Sequence, residues 1–165
     1  MQTDANQPAR LWPKGHFYHE FEIGQSFDHH WGRTILESDA MLFSCSTMNY
    51  NPLYVNREFA KAAGHPDLVC NPMLAFLVVL GLSVEDLSEK RGGAFLGVDD
   101  LTYHRPVYAG DTLVASSSVH AKRESASRPN AGIVTWETKG QNQQGELVVS
   151  FRRTNLVARR DGHDG

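Results

Sequence analysis

Asn71-Pro-Met-Leu-Ala-Phe-Leu-Val-Val-Leu-Gly-Leu82 decides how this chain of 165 residues folds. An asparagine followed by proline is a helix start: the side chain caps, and proline takes the first helical position, where its missing N–H is not needed. The run from Met73 to Leu82 that follows is apolar on every side, so the helix must be enclosed on most of them. It is about half of the roughly 20 residues that a bilayer demands, which makes it a buried helix at the centre of a fold.

Outward from that helix the chain divides. On its N-terminal side, Asn51-Pro52 repeats the start device and Gly64 with Pro66 supplies a stop, predicting a helix of about three turns with Val55, Phe59 and Ala62/Ala63 on one face. Before it, Glu37-Ser-Asp-Ala-Met-Leu-Phe-Ser-Cys45 reads as a helix capped by Ser38, and residues 27–36 as an extended segment. From Gly92 onward the character changes to strands, at 94–98, 111–120, 133–139 and 146–157. The last two are joined by Gly140-Gln-Asn-Gln-Gln-Gly145, which reads as a hairpin loop. Helices first and an antiparallel sheet afterwards give an α+β domain in which a hydrophobic helix is wrapped by a curved sheet. The polar residues 1–15 are expected to form an N-terminal arm, 16–158 the domain, and 159–165 a charged tail.

Composition narrows the function classes. Acidic residues outnumber basic ones 19 to 16, and the basic residues are scattered, so no nucleic-acid surface is expected. The two cysteines, Cys45 and Cys70, have neither disulfide-framework nor zinc spacing. With no signal-peptide pattern at the start, the expected location is cytoplasmic, without membrane association. No glycine-rich phosphate loop and no metal-ligand cluster is legible, so neither a nucleotide cofactor nor a metal is expected.

Three separated stretches carry a resemblance. The first is Thr47-Met-Asn-Tyr-Asn-Pro-Leu-Tyr-Val-Asn56, with Asn51-Pro52-Leu53 as its anchor. The second is Pro106-Val-Tyr-Ala-Gly-Asp-Thr-Leu113. The third is Lys122-Arg-Glu-Ser-Ala-Ser-Arg-Pro129 with Gly132-Ile-Val-Thr135. Together they resemble the MaoC-like dehydratases, a branch of the hotdog superfamily that includes R-specific enoyl-CoA hydratases, over roughly His19 to Val157. The third stretch resembles a sub-branch acting on short dicarboxylic CoA thioesters. The resemblance implies a single hotdog domain, reversible water addition to an enoyl thioester without a cofactor other than the coenzyme A of the substrate, and a homodimer or higher homo-oligomer joined through its sheets.

The chain departs from the family pattern where the chemistry lies. An aspartate two residues before Asn-Pro and a histidine after Asn-Pro-Leu are replaced by Asn49 and Tyr54. A second-helix His-Gly-Met that offers a backbone amide to the thioester oxygen is matched by Asn71-Pro72-Met73, and proline has no N–H to give. A positioned acid or base contributes about 10² to 10⁴-fold and an oxyanion donor about 10² to 10³-fold, so these losses need replacements. An asparagine has no proton-accepting charge, and a tyrosine hydroxyl is a donor at neutrality.

Several readings stand. Asn49 and Tyr54 orient water or thioester, with Asn51 supporting the loop, Asn71 and Met73 holding the thioester, and the base supplied elsewhere or by a substrate carboxylate held by Arg105 or Arg128. Alternatively His104 with Asp99 or Asp100, or His65 with Asp67, replaces the lost pair. The plain alternatives are a helix-ending turn for His65 and a strand-lining residue for His104. A third reading is a domain that binds an acyl-CoA or a partner without turnover. Thioesterases share the fold, but the central-helix region offers them only Glu58 and Asp67. Lys122 and Arg123, with Arg128, suit the phosphates of coenzyme A, or else form a solvated loop. Cys45 and Cys70 read as small apolar residues rather than nucleophiles. Trp12, Trp31 and Trp136 are too dispersed for a cofactor box and pack in the core or between subunits. Arg152 and Arg153 sit side by side in a strand, so they cannot both face the core.

Overall fold

A computed structural model describes residues 14–89 and 93–160. The expected arm and tail fall mostly outside these; of them Gly15 donates its N–H to Glu85 O at 2.6 Å and Arg159 its own to Asn130 O at 2.9 Å. After a single 3₁₀ turn at Tyr18–Glu20 the elements run β1 (Ser26–Thr34), α1 (Glu37–Ser46), α2 (Pro52–Val55), α3 (Arg57–Ala62), α4 (Pro72–Leu87), β2 (Ala94–Tyr103), β3 (Thr112–Glu124), β4 (Ala131–Gln141) and β5 (Leu147–Ala158). The strands form one antiparallel sheet in the order β1-β3-β4-β5-β2. Its inner face wraps α4, as the apolar run at Met73–Leu82 predicts, and the architecture is the α+β hotdog.

Local chemistry explains the boundaries. Asn71 Oδ1 accepts the Met73 N–H at 3.0 Å and Pro72 occupies the first helical position, so α4 starts where the Asn-Pro pair places it. Asn51 does the same for α2 through the Leu53 N–H. The three-turn helix expected from Asn51 to Gly64 is broken. Asn56 leaves the helical region at φ −129° and caps a second helix through the Phe59 N–H, which turns Phe59 outward and buries Ala60 instead. The Ser38 cap is also corrected: α1 begins at Glu37, and Asp39 accepts the Leu36 N–H at 3.0 Å. Between β4 and β5, Asn142 Oδ1 accepts the N–H groups of Gln144 and Glu146 while Gly145 takes φ +77°, closing the expected hairpin.

α4 lies directly on the sheet. At Gly140 a Cβ would stand 2.4 Å from Val79 Cγ2, so only glycine lets the helix come this close. Val79, Phe76, Leu113, Val149 and Phe151 are buried around it, and Phe76 meets Phe151 edge-on with centroids 4.9 Å apart. A second cluster at the other end of α4 gathers Leu87, Phe21, Val134, Val157 and Trp136.

The core also holds a polar chain. His29 Nδ1 lies 2.6 Å from Asp86 Oδ2, His29 Nε2 lies 2.9 Å from Ser117 Oγ, and Ser117 Oγ lies 2.8 Å from Thr138 Oγ1. The arrangement suits a neutral imidazole that donates from Nδ1 and accepts at Nε2. Burial pushes His29 below its ordinary value; Asp86 and Asp28 oppose the shift, and Arg153 adds to it. The unfolded chain therefore takes up this proton first as pH falls, so the contribution of His29 to stability is complete above about pH 6.5 and is lost below it. Melting temperature is expected to drop between pH 7.5 and 5.5, and the drop to be smaller in His29→Gln. Equal drops in the two proteins would remove His29 from this role.

Candidate active site

The motif after α1 is built from capping interactions. Thr47 Oγ1 donates to Phe43 O at 2.8 Å, and Met48 follows at φ +56°, a left-handed conformation that costs a side-chain-bearing residue roughly 1–2 kcal/mol. The turn brings the Asn49 N–H to Ser44 O at 2.9 Å and delivers Asn51 to cap α2. Asn49 itself is exposed on this loop, and Tyr54 follows on α2, half-buried.

Tyr54 opens onto a cleft of about 280 Å³ that lies against the start of α4. Its walls bring in His65 from the turn after α3, Cys70 and Pro72 before and at the start of α4, and Tyr103, His104 and Arg105 from the end of β2. Residues 50 positions apart in sequence thus converge because β2, at the sheet edge, ends beside the N-terminus of α4. Burial, and then the neighbouring Tyr54, push the Tyr103 hydroxyl up, so it stays protonated and donates to Met73 Sδ at 3.1 Å. Burial holds Cys70 at about 12, a thiol rather than a nucleophile.

Neither expected histidine–aspartate pair forms. His104 Nε2 is 2.8 Å from Ser150 Oγ, Asp100 is paired with Arg152 at 2.9 Å, and no bond joins His104 to Asp99. The reason is the bulge in β2 between Asp99 and Thr102, where Asp100 takes φ +53°. His65 Nδ1 is 3.0 Å from the Tyr108 hydroxyl, while Asp67 is held by Arg57 at 2.6 Å and by the Leu68 N–H at 2.7 Å. Burial, with Asp111, pushes Tyr108 up, so its hydroxyl stays protonated beside His65 Nδ1. Both histidines nevertheless line the cleft of Tyr54. The carboxylates that a thioesterase would use are elsewhere: Glu58 faces solvent beside Lys61, and Asp67 is the partner of Arg57.

The expected binding residues separate into two groups. Asn51, Asn71, Met73 and Arg105 stand around the start of α2, the start of α4 and the cleft, with Arg105 exposed and 3.3 Å from Glu146. The Met73 N–H is already engaged by Asn71, so α4 offers no unoccupied amide at its first two positions. Lys122, Arg123 and Arg128 lie toward the other end of β3, about 30 Å of strand from Thr112. Lys122 Nζ donates to Phe21 O at 2.6 Å and Tyr18 O at 3.2 Å, so its charge is engaged by the 3₁₀ turn. Arg123 and Arg128 are exposed, on β3 and on the loop after it. Within one chain this basic cluster and the cleft are not brought together.

One feature of the inner face was not legible beforehand. Arg152 points outward to Asp100, and Arg153 points inward, 1% exposed, with its guanidinium 5.1 Å from the Trp136 ring. The dipeptide signalled only that the two arginines cannot both face the core; the register of β5 turns Arg153 inward. Among the described residues, no group of three His, Cys, Asp or Glu side chains is placed to hold a metal, and no helix is long and apolar enough to cross a membrane.

Comparison with known proteins agrees with this architecture. Mesaconyl-CoA hydratase of Haloarcula marismortui is 41% identical over 149 residues, covering 90% of this chain and 41% of that protein. β-Methylmalyl-CoA dehydratase of Chloroflexus aurantiacus is 31% identical over 147 residues, covering 89% of this chain and 41% of that one. A solved MaoC domain dehydratase from Chloroflexus aurantiacus superposes with a TM-score of 0.85 at 29% identity, over 95% of this chain and 44% of the other. The chain thus spans less than half the length of these relatives. The family model for mesaconyl-CoA hydratase matches residues 4–165. The chain belongs to the mesaconyl-CoA hydratase family, within the MaoC-like hotdog proteins.

Proposed function

We propose that this chain adds water reversibly to the double bond of a short branched or dicarboxylic enoyl-CoA thioester of the mesaconyl or methylmalyl type. The observation that carries the reading is the cleft in which Tyr54, Tyr103, His65, His104 and Arg105 converge at the start of α4. The names of its relatives supply the substrate class.

The residues divide the work. With its proton on Nε2, 2.8 Å from Ser150 Oγ, His104 has Nδ1 as an acceptor for a proton of the attacking water. The Tyr54 hydroxyl donates to the thioester oxygen as enolate charge develops, taking over from the backbone amide that Pro72 lacks. The water oxygen bonds to Cβ, His104 takes its proton, and the protonated His104 then delivers that proton to Cα as the enolate collapses, which returns the imidazole to its neutral form. Asn49 orients the loop and its water from outside the cleft lining. Coenzyme A arrives with the substrate, and no further cofactor enters these steps.

The same reading includes an assembly and a location. β2 is an edge strand with Phe95 55% and Leu96 53% exposed, and α4 leaves Met73 and Leu77 open beside it. A second hotdog unit, supplied by another copy in a homodimer or higher homo-oligomer, would cover these side chains. The thiols of Cys45 and Cys70 are free, which fits a reducing cytoplasm, and neither a nucleic acid nor a membrane is a partner in this account.

The test is a panel of crotonyl, mesaconyl and itaconyl thioesters, with loss of the enoyl absorbance and release of free thiol followed in parallel. Hydration of the mesaconyl thioester is expected. Thiol release without hydration would make the domain a thioesterase, and tight binding without either reaction would make it a binding module.

A further inference from the structure

A second, larger cleft of about 720 Å³ follows α4 from Met73 to Ser88, between that helix and strands β2 and β5. Its walls are apolar, including Leu77, Leu80, Phe95, Val98 and Leu101, except at Ser88, Arg153 and Asn155. Arg153 and Asn155 stand on alternate residues of β5 and therefore on one face of it, Arg153 opposite Val98 and Asn155 opposite Phe95 in β2. Arg153 is 1% and Asn155 6% exposed. Among the described residues, the Nε and Nη2 groups of Arg153 and the Oδ1 of Asn155 have no hydrogen-bond partner, and neither does the Trp136 indole nitrogen beside the guanidinium. A buried guanidinium with Nε and Nη2 unpaired among the described residues is a costly arrangement, and it is the arrangement that an anion entering the cleft would complete.

We propose that Arg153, assisted by Asn155, receives a carboxylate at the far end of the acyl group, the hydrocarbon part of which lies in the α4–β2–β5 cleft. A guanidinium fork matches a carboxylate with two parallel bonds, and the Asn155 amide can turn to donate a third. The proposal rests on the reading of the domain as an acyl-thioester protein and adds the residue that selects a dicarboxylic acyl group. Arg105 and Arg128, the cations expected from the sequence, are exposed, and Arg105 is paired with Glu146, so they are the weaker receptors. The position of Arg153 also sets a length. It stands about 7 Å along β5 beyond Phe151, which packs on Phe76 in the first turns of α4. The acyl chain must reach that much further than the level of Phe76.

Calorimetric binding of saturated thioesters tests this without requiring turnover, so failure of hydration leaves the test intact. The ligands are a dicarboxylic series from succinyl- to suberyl-CoA, the methyl-ended thioester of matching length for each, and the corresponding free dicarboxylic acids. The wild-type protein is expected to bind at least one dicarboxylic thioester about 10- to 100-fold tighter than its methyl-ended counterpart. Arg153→Met is expected to abolish that preference, to bind the methyl-ended thioester no worse, and to melt at the same or a higher temperature, since it removes a buried charge that no acidic side chain among the described residues pairs. Asn155→Leu, which keeps the charge, is expected to reduce the preference several-fold. No preference at any length in the wild type, or an equal loss for both ligand series in Arg153→Met with a lower melting temperature, would make Arg153 structural and overturn the proposal. Preference confined to the free acids would overturn it too, by removing the thioester as the source of the carboxylate.

Discussion

Tyr54→Phe is expected to lower the turnover of a mesaconyl thioester by about 10²- to 10³-fold, with KM changing little. The hydroxyl is the group placed to meet the charge that develops on the thioester oxygen, and loss of one such donor costs about this much. The ring stays in its cleft wall, so a folding defect is not the cause. Tyr103→Phe provides the comparison: its hydroxyl is directed to Met73 Sδ, and the expected fall is less than tenfold. Steady-state kinetics on the two variants decides the matter. If Tyr54→Phe kept wild-type turnover while Tyr103→Phe lost it, the donor would be Tyr103 and the motif position would be structural.

The largest effect on stability is expected at Trp136. Its side chain is fully buried, packs edge-on against Phe21 with centroids 5.2 Å apart, and forms the floor under Arg153. Trp136→Ala is expected to destabilise the fold by about 3–5 kcal/mol, through lost transfer energy and the cavity left between the sheet and the end of α4. Since single domains have about 5–15 kcal/mol in total, the variant stands near the limit of folding. The midpoint of urea unfolding at unchanged slope measures it. A loss below about 1 kcal/mol would mean that the second core cluster is not a cooperative part of the domain.

What the sequence allowed to be read, and what it hid, follows the range of the interactions. The α4 helix was legible because capping and apolar patterning are local: Asn71, Pro72 and the run after them suffice. The sheet was legible as strands separated by turn residues, although β2, β3 and β4 run a few residues further than their apolar stretches, because pairing across the ladder recruits the polar ends. The break at Asn56 was missed although its signal was present, a cap residue three positions before Phe59; the continuous pattern of Val55, Phe59 and Ala62 outweighed it. The cleft shows the limit more sharply. Tyr54 and His104 were singled out separately, and only the docking of the β2 end against the α4 start makes them neighbours. The proposed Asp partners of His104 and His65 failed because proximity in sequence is no guide across a bulge or a turn: Asp100 turned to Arg152, and Asp67 to Arg57. Arg153 needed the register of β5 as well as the burial of its neighbours, neither of which a dipeptide contains.

The most direct measurement is a double-mutant cycle on hydration of the mesaconyl thioester, with wild type, Tyr54→Phe, His104→Asn and the combined variant assayed for turnover under saturating substrate. Donor and base that act in one transition state are expected to be strongly non-additive: each single change lowers turnover by about a hundredfold or more, and the combined variant falls little below the worse of the two. Wild-type hydration that survives both substitutions would contradict the assignment of catalysis to this cleft.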